Sequence, residues 1–441
     1  MDRRLTHRPH GHILTNIGCW SHDAQWIVYD TRSDAAGSRF DGTTIERVHV
    51  ASGTVEVLYR SQPGAHCGVA TCCPVTDRVV FILGPEPATD DWPYAANHRR
   101  GVIVRPGSHE VVALDAMCYA QPFVPGALRG GSHVHSFDAR GQCVAFTYED
   151  HVLAAHEAEA PPGEEGVLCE RNQRSVGIST PLHSVTVHAA HQRNHSGSHF
   201  SALLTRTCDR PRPASDDITR AVEDAWIGHS GYRLATADTW QPALAFLGEV
   251  TNLRGQPIME VFVVDVPSDL TIASDDGPLQ GTASQRPRPP RGAHQRRLTH
   301  TEFARFPGVC APRHWPRSSP DGSLIFFLMR DDTGLAQIHC IAPTGGTQSQ
   351  VTSVPGGVTS AFSVSANGRW LAHTAEGCVC ATEIATGRTL RLTEPRPAPL
   401  APRPEACVFA PNGTQIAYVR PVLVEGVLWN QVCIVETDLD T

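Results

Sequence analysis

His133, His314, Asn16, Ser360 and Glu405 each stand eight residues before the same kind of tight turn, counting Asn16 from Ala24. If each opens an equivalent strand, two imidazoles, an amide, a hydroxyl and a carboxylate converge on one pocket. His135 follows His133 by two residues, and the pleat of a regular strand puts both rings on one face. Imidazole and carboxylate donors hold Mn²⁺, Zn²⁺ or Fe²⁺ with positions left open for substrate. His133, His135 and His314 are therefore the candidate metal ligands, and His133, His314 and Arg317 the candidate catalytic groups. Arg313 and Arg317 flank His314 and offer guanidinium forks to a carboxylate or phosphate. With Asn16, Trp20, His66 and Glu405 they make up the candidate ligand-binding set. The competing expectation is that these polar side chains bond to one another and plug a wet channel.

Two further stretches hold aromatic and charged residues in loops. Asp90-Asp91-Trp92-Pro93-Tyr94-Ala95-Ala96-Asn97-His98-Arg99-Arg100 is long enough to lid such a channel. Asn194-His195-Ser196-Gly197-Ser198-His199 is similar in kind. Gly228-His229-Ser230-Gly231-Tyr232 lacks the last glycine of a nucleophile elbow, which removes that hydrolase signature.

The elements that must position these residues are legible as a repeat. Ser318-Ser319-Pro320-Asp321-Gly322-Ser323-Leu324-Ile325 reads as a strand end, a tight turn and a new strand. Degenerate copies run from Ser21 to Tyr29, Phe137 to Phe146, Ser365 to Ala372 and Ala410 to Tyr418. A period of roughly 40–60 residues with four short strands per unit is the mark of a β-propeller. The chain is expected to be all-β, one seven-bladed propeller domain over residues 1–441. The units are drawn at Ile17–Ser61, Ala65–Ala120, from Gly131, Thr186–Pro267, Cys310–Ser353, Gly357–Glu394 and from Pro404 onward. The last unit has three strands. Gly11-His12-Ile13-Leu14-Thr15 carries the same closing Leu-Thr as Leu392-Thr393, and is expected to supply the missing outer strand and hide the edge. Irregular insertions fall at about 207–233, with a short helix over Ile218–Trp226, and at about 268–300. Arg286-Pro287-Arg288-Pro289-Pro290-Arg291 in the second reads as a solvated linker.

Composition narrows the function. Forty-five acidic against 37 basic residues give a formal charge of −8, which argues against a nucleic-acid binder. All of the basic residues are arginine, so Schiff-base and P-loop chemistry are excluded. The segment Met1–His10 has no apolar signal region, and no run is long enough to span a bilayer. The 14 cysteines are scattered through strand-like segments, as reduced thiols are. Together these predict a cytoplasmic protein without a membrane partner.

The turn repeat with its closing Leu-Thr or Val-Thr resembles the TolB-like propeller repeat. Gly130-Gly131-Ser132-His133-Val134-His135, Asn97-His98-Arg99-Arg100-Gly101-Val102-Ile103 and Arg313-His314-Trp315 resemble the uncharacterised bacterial YidR-like family. More distantly, the chain is similar to oligogalacturonate lyases, seven-bladed propellers that use Mn²⁺ held by histidines and by a glutamine three residues before the first of a His-x-His pair. The resemblance aligns that pair with His133 and His135. Three functions follow as expectations. The first is a cytosolic protein binding a small polar or anionic ligand at the central channel, around a divalent metal. The second is a metal-dependent lyase or hydrolase for acidic oligosaccharides, with the metal polarising a uronate carboxylate and a histidine taking the adjacent proton. The third is a scaffold for a protein partner.

Overall fold

Seven four-stranded antiparallel sheets stand around a central axis, so the chain is a seven-bladed β-propeller. The computed structural model describes residues 2–108, 110–160, 168–234 and 239–440. Blade 1 consists of Gly11–Ile13, Trp26–Arg32, Thr44–His49 and Val55–Arg60; blade 2 of Cys67–Cys72, Val79–Leu83, Arg100–Val104 and Val111–Ala113. Blade 3 is built from Gly130–Phe137, Val144–Asp150, Ser175–Thr180 and Phe200–Leu203, and blade 4 from Ile218–Trp226, Ala243–Thr251, Pro257–Asp265 and Gln295–Arg297. Blades 5 and 6 start at Arg317–Ser318 and Ser363–Val364, and end on Ser349–Gln350 and Thr389–Arg391. In blade 7, Cys407–Phe409, Gln415–Val424 and Val427–Glu436 are completed by Asp2–Arg4 from the other end of the chain.

The repeated turn works through side chains that imitate backbone partners. Ser319 Oγ donates to Asp321 Oδ1 and accepts from Leu324 N–H at 3.0 Å, while Ser323 N–H donates to the same Asp321 oxygen at 3.1 Å. Ser21 with Asp23 and Trp26, and Ser365 with Asn367 and Trp370, repeat the arrangement. The fourth turn residue needs a left-handed backbone, supplied by Gly322 at φ +66° and by Gly368 at +71°. Ala24 adopts it at +58° in blade 1 without being glycine.

The closing Leu-Thr has an equally local cause. The threonine hydroxyl after the outer strand accepts a hydrogen bond from an N–H within the third strand. Ile338 N–H donates to Thr352, Val379 to Thr393, Val261 to Thr299 and Val176 to Thr205, all at 2.8–2.9 Å. In blade 7, Val432 N–H donates to Thr6 at 2.9 Å, and the preceding Leu5 is buried. The chain thus contains two N-terminal Leu-Thr pairs, and the ring closes on the first. The expectation that Gly11–Thr15 supplies the outer strand of blade 7 is corrected: Asp2–Arg4 pairs with Cys433–Val435, and Gly11–Ile13 is the innermost strand of blade 1.

Three other expectations are revised. Ile218–Trp226 is the inner strand of blade 4, not a helix, because its apolar residues pack on both neighbouring sheets. Ser175–Thr180 and Phe200–Leu203 belong to blade 3, so unit four begins after them. The arginine–proline segment is packed rather than a solvated linker: Arg286 pairs with Asp209 at 2.5 Å, Arg288 with Glu170 at 2.6 Å, and the buried Leu270 and Leu279 anchor its flank. Its charge is spent within the molecule.

Apolar clusters sit between successive sheets, as both faces of every blade are covered. Phe246 and Phe262 fill the space between blades 3 and 4, Phe326 and Phe362 that between 5 and 6, and Leu5, Leu14 and Trp20 that between 7 and 1. Among the described residues one α-helix occurs, His151–Glu159, capped by Asp150 and following the second strand of blade 3.

Candidate functional site at the channel mouth

The inner strands of blades 2, 3 and 4 share a feature that shapes the channel. Each carries a β-bulge whose extra residue is a non-glycine with positive φ: Val69 at +56°, Val134 at +58° and Glu223 at +52°. Such conformations cost about 1–3 kcal/mol and persist where surrounding structure over-determines them. In blade 3, His133 pairs with Thr147 and Ser136 with Ala145, so Val134 and His135 together oppose the single residue Phe146. The bulge turns His135 to the face opposite His133. The expectation that both rings share a face is therefore corrected.

His133 is almost completely buried, and neither ring nitrogen has a hydrogen-bond partner. Its Nε2 lies 3.9 Å from Glu149 Oε1, whose carboxylate is held by Arg174 Nε at 2.5 Å. Burial, then the positive charges of Arg99, Arg174 and Arg313, push its pKa well below the ordinary histidine value, so the ring is neutral. Arg313 is exposed, pairs with Glu223 at 2.7 Å and stacks on Trp315. No carboxylate pairs with Arg99 among the described residues; its guanidinium lies against the rings of Phe40 and Tyr94, and its buried Nε has no partner. Next to this group, Thr147 Oγ1 donates to Asp224 at 3.0 Å. Burial raises the Asp224 carboxyl to about 7. Glu149 and Arg174 continue into a cavity of about 600 Å³ shared with Asn172, Arg220 and Glu249.

His135 is fully buried on the other face. Its Nε2 meets Ser132 Oγ at 3.0 Å and approaches Asp115, which accepts hydroxyl hydrogen bonds from Ser132, Ser179 and Ser201. Burial lowers its pKa to about 4, although Asp115 pulls the other way. Gly101 is required here, since a Cβ on it would lie 2.5 Å from His135 Nε2.

The aligned rim positions on the opposite side are consumed by structure. His314 donates through Nδ1 to Pro312 O at 2.9 Å and accepts Leu328 N–H on Nε2 at 3.0 Å, leaving neither nitrogen for a metal. Ser360 Oγ accepts Thr374 N–H at 2.9 Å. Asn16 donates to Phe362 O at 2.8 Å and accepts Cys407 N–H at 3.0 Å, tying blade 1 to blades 6 and 7. Arg317 donates to the Asn16 carbonyl, and Trp20 Nε1 to Val408 O at 3.0 Å. Glu405 is half-buried, and its Oε2 has no partner. His66 stacks edge-on against Tyr94 at 5.2 Å and so joins the Arg99 side. Of the residues read from sequence, His133 and Arg313 join the Glu149–Arg174 charge cluster and His66 lies beside Tyr94, whereas His314, Ser360, Asn16, Arg317 and Trp20 are held by hydrogen bonds to backbone groups. Glu149, Arg174, Glu223 and Asp224 carry no sequence signal, because they lie in ordinary strands that only the ring brings to His133.

The expected metal trio does not assemble. Among the described residues no three His, Cys, Asp or Glu side chains gather where they could hold a metal ion. The position three residues before His133, where the lyase resemblance asks for glutamine, is Gly130. A Cβ there would lie 2.0 Å from Glu149 O, so the backbone admits no side chain.

The fold places the chain among the seven-bladed β-propellers. Solved structures agree on the fold: oligogalacturonate lyase in complex with manganese superposes with a TM-score of 0.58 at 11% identity, over 99% of this chain and 92% of that one. The oligogalacturonate lyase from Vibrio parahaemolyticus gives 0.55 at 11% identity, over 99% and 93%. A family model described as a protein of unknown function (DUF3748) matches residues 66–195. Uncharacterized protein YidR of Escherichia coli (strain K12) is 40% identical over 439 residues, 99% of this chain and 97% of that protein. The chain belongs to the YidR family. No helix among the described residues is long and apolar enough to cross a membrane.

Proposed function

We propose that this protein binds a small organic anion at the channel mouth, with the anionic group between His133, Arg99, Arg174 and Arg313. The observation that carries this reading is His133, a buried imidazole with two unpartnered nitrogens facing three guanidinium groups. A buried polar ring without partners costs free energy unless a ligand or water completes it, and Arg99, the guanidinium of the three that has no carboxylate among the described residues, favours an anion. Arg99 and Arg313 supply forks suited to carboxylate or phosphate. The 14 free thiols suit a reducing compartment, which supports a cytoplasmic site of action.

The lyase fold similarity favours uronates as the ligand class, and a neutral His133 retains the lone pair that abstracting a proton beside a carboxylate requires. A lyase reading follows in which His133 is the base. No step is assigned to a metal, because the residues present do not form its site.

Calorimetric titration with D-galacturonate, oligogalacturonate, inorganic phosphate and neutral galactose tests the proposal. The anions should bind and galactose should not. His133→Ala and Arg99→Gln should each weaken binding by about tenfold or more. Equal binding of galactose, or unchanged affinity in both variants, would refute it. Appearance of an ultraviolet-absorbing unsaturated uronate, with and without added Mn²⁺, separates the lyase from simple recognition.

A further inference from the structure

Arg99 and Arg100 are neighbours in sequence but serve different surfaces. Arg99 lies against Phe40 and Tyr94 at the channel mouth, while Arg100, the first residue of its strand, turns into a separate cavity of about 390 Å³. This cavity lies between the loop carrying Pro85–Trp92 in blade 2, Tyr119, and the Gln192–His195 turn of blade 3. It shares no lining residue with the cavity beside His133.

Arg100 makes no side-chain hydrogen bond or ion pair with any described residue, and its Nε is shielded from solvent without a partner. The adjacent carboxylate is already committed: Glu86 accepts Tyr59 O–H at 2.7 Å and Gln62 N–H at 2.8 Å. Arg193 is fixed by Pro87 O at 2.8 Å and Thr89 Oγ1 at 3.0 Å, which holds its charge in the wall. Arg193 Nε and His195 Nε2 are likewise buried without a partner. The same lining holds Trp92, stacked on His98 at 4.0 Å with Arg193 over its ring at 5.8 Å, and Tyr119, edge-on to Trp92 at 5.0 Å. Two guanidiniums, Arg100 and Arg193, line the cavity against the single carboxylate of Glu86, which bonds to neither, and proteins keep such uncompensated charge where a ligand supplies the anion. The volume falls in the range of small-molecule sites, roughly 300–1,000 Å³.

We propose that this cavity is a second ligand site, taking a small organic anion whose carboxylate or phosphate meets Arg100 and Arg193 while its ring lies against Trp92 and Tyr119. Every lining residue, from Pro85 to His195, falls within the 66–195 segment that the family model matches. The channel mouth, in contrast, also draws on Arg313 outside that segment. The second site stands independently of the channel reading.

The test uses the full chain and three probes: phenyl phosphate, inorganic phosphate and D-galacturonate. Phenyl phosphate or galacturonate should bind wild type and leave an Arg100-dependent component intact in His133→Ala. Arg100→Gln should weaken that component by about tenfold or more, and inorganic phosphate, which lacks a ring, should bind about tenfold more weakly. Whichever ring-bearing probe is stronger distinguishes a phosphate ester from a sugar acid. Unliganded Arg100→Gln should melt at or above the wild-type temperature, since the charge it removes has no partner. Absence of saturable binding to wild type, equal binding by Arg100→Gln, loss of the component in His133→Ala, or a lower melting temperature for Arg100→Gln would each overturn the proposal.

Discussion

His133 and His135 are separated by Val134 alone, yet their imidazoles face opposite sides of the blade 3 inner strand, one toward Glu149 and the other toward Asp115. The positive-φ bulge at Val134 is the cause. The two rings therefore have different duties. His133 satisfies nothing in the protein, whereas His135 meets Ser132 within the Asp115 hydroxyl network. His135→Ala should destabilise the fold by about 2–4 kcal/mol, the cost of a buried network member and its cavity. His133→Ala should cost less, on the order of 1 kcal/mol, while weakening anion binding at the channel mouth by about tenfold or more. Urea unfolding beside calorimetry checks the contrast; equal destabilisation by both would contradict it.

Ring closure depends on Thr6 and not on Thr15. Thr6 Oγ1 donates to Gln431 and accepts from Val432 N–H, while the buried Thr15 hydroxyl has no partner. Thr6→Val should lower stability by about 1–3 kcal/mol by orphaning that N–H, and Thr15→Val should be neutral or stabilising. Chemical denaturation of the two variants settles the assignment of the closing strand, with a larger loss for Thr15→Val the opposing outcome.

Asn16 joins three blades through Phe362 O and Cys407 N–H. Asn16→Ala should cost about 1–3 kcal/mol in stability because buried backbone groups lose their partner. Anion affinity should stay within about twofold of wild type, since those bonds do not involve His133. A selective loss of affinity with unchanged melting temperature would instead make Asn16 a ligand contact.

Acid should unfold the propeller early. Burial lowers His12 to about 3 and His314 and His373 to about 4, below their ordinary value of 6.5. His12 faces Asn430 O, His10, Arg8 and Tyr29; His314 faces Pro312 O, Leu328 N–H, Arg317 and Phe362; His373 faces Thr382. Each holds fewer protons folded than unfolded, so its stability is complete above 6.5 and is lost as pH falls toward 4. Asp224, raised to about 7 from 3.8, works in reverse and gains stability as pH falls through the same window. His133, His135 and His151 are lowered in the same way, so these histidines outnumber the carboxyls that burial raises, Asp30, Asp224 and Glu405, and the balance is a loss of about 1.4 kcal/mol per pH unit for each uncompensated histidine. His373→Gln should flatten the slope of urea-unfolding free energy between pH 6.5 and 4.5; an unchanged slope would count against the assignment.

Much of the ring was legible because its signals are local. Ser319, Asp321 and Gly322 make their turn within six residues, and Leu392-Thr393 closes a blade through a single hydrogen bond to Val379. Such motifs need no distant partner, so their repetition alone specifies blades and their approximate number. The same locality explains the ambiguity at the N-terminus: Leu5-Thr6 and Leu14-Thr15 carry identical dipeptides, and pairing with Cys433–Val435 decides between them. Blade 4 was obscured because its outer strand Gln295–Arg297 follows a long irregular segment, and because two register shifts within Ile218–Trp226 break its strand alternation.

The chain's own pattern determined that His133 lies on an inner strand, since the turn at Gly141 sets that distance. Tertiary structure alone decided what the histidine meets. A one-residue bulge reverses side-chain faces, because the pleat has a period of two, and nothing local in Val134 announces its left-handed backbone. His314, equivalent to His133 by count, is consumed by Pro312 and Leu328, whereas His133 is left to Glu149, Arg99, Arg174 and Arg313 from other segments. Sequence spacing fixes positions along a strand; the closing of seven strands into one ring fixes which positions become neighbours.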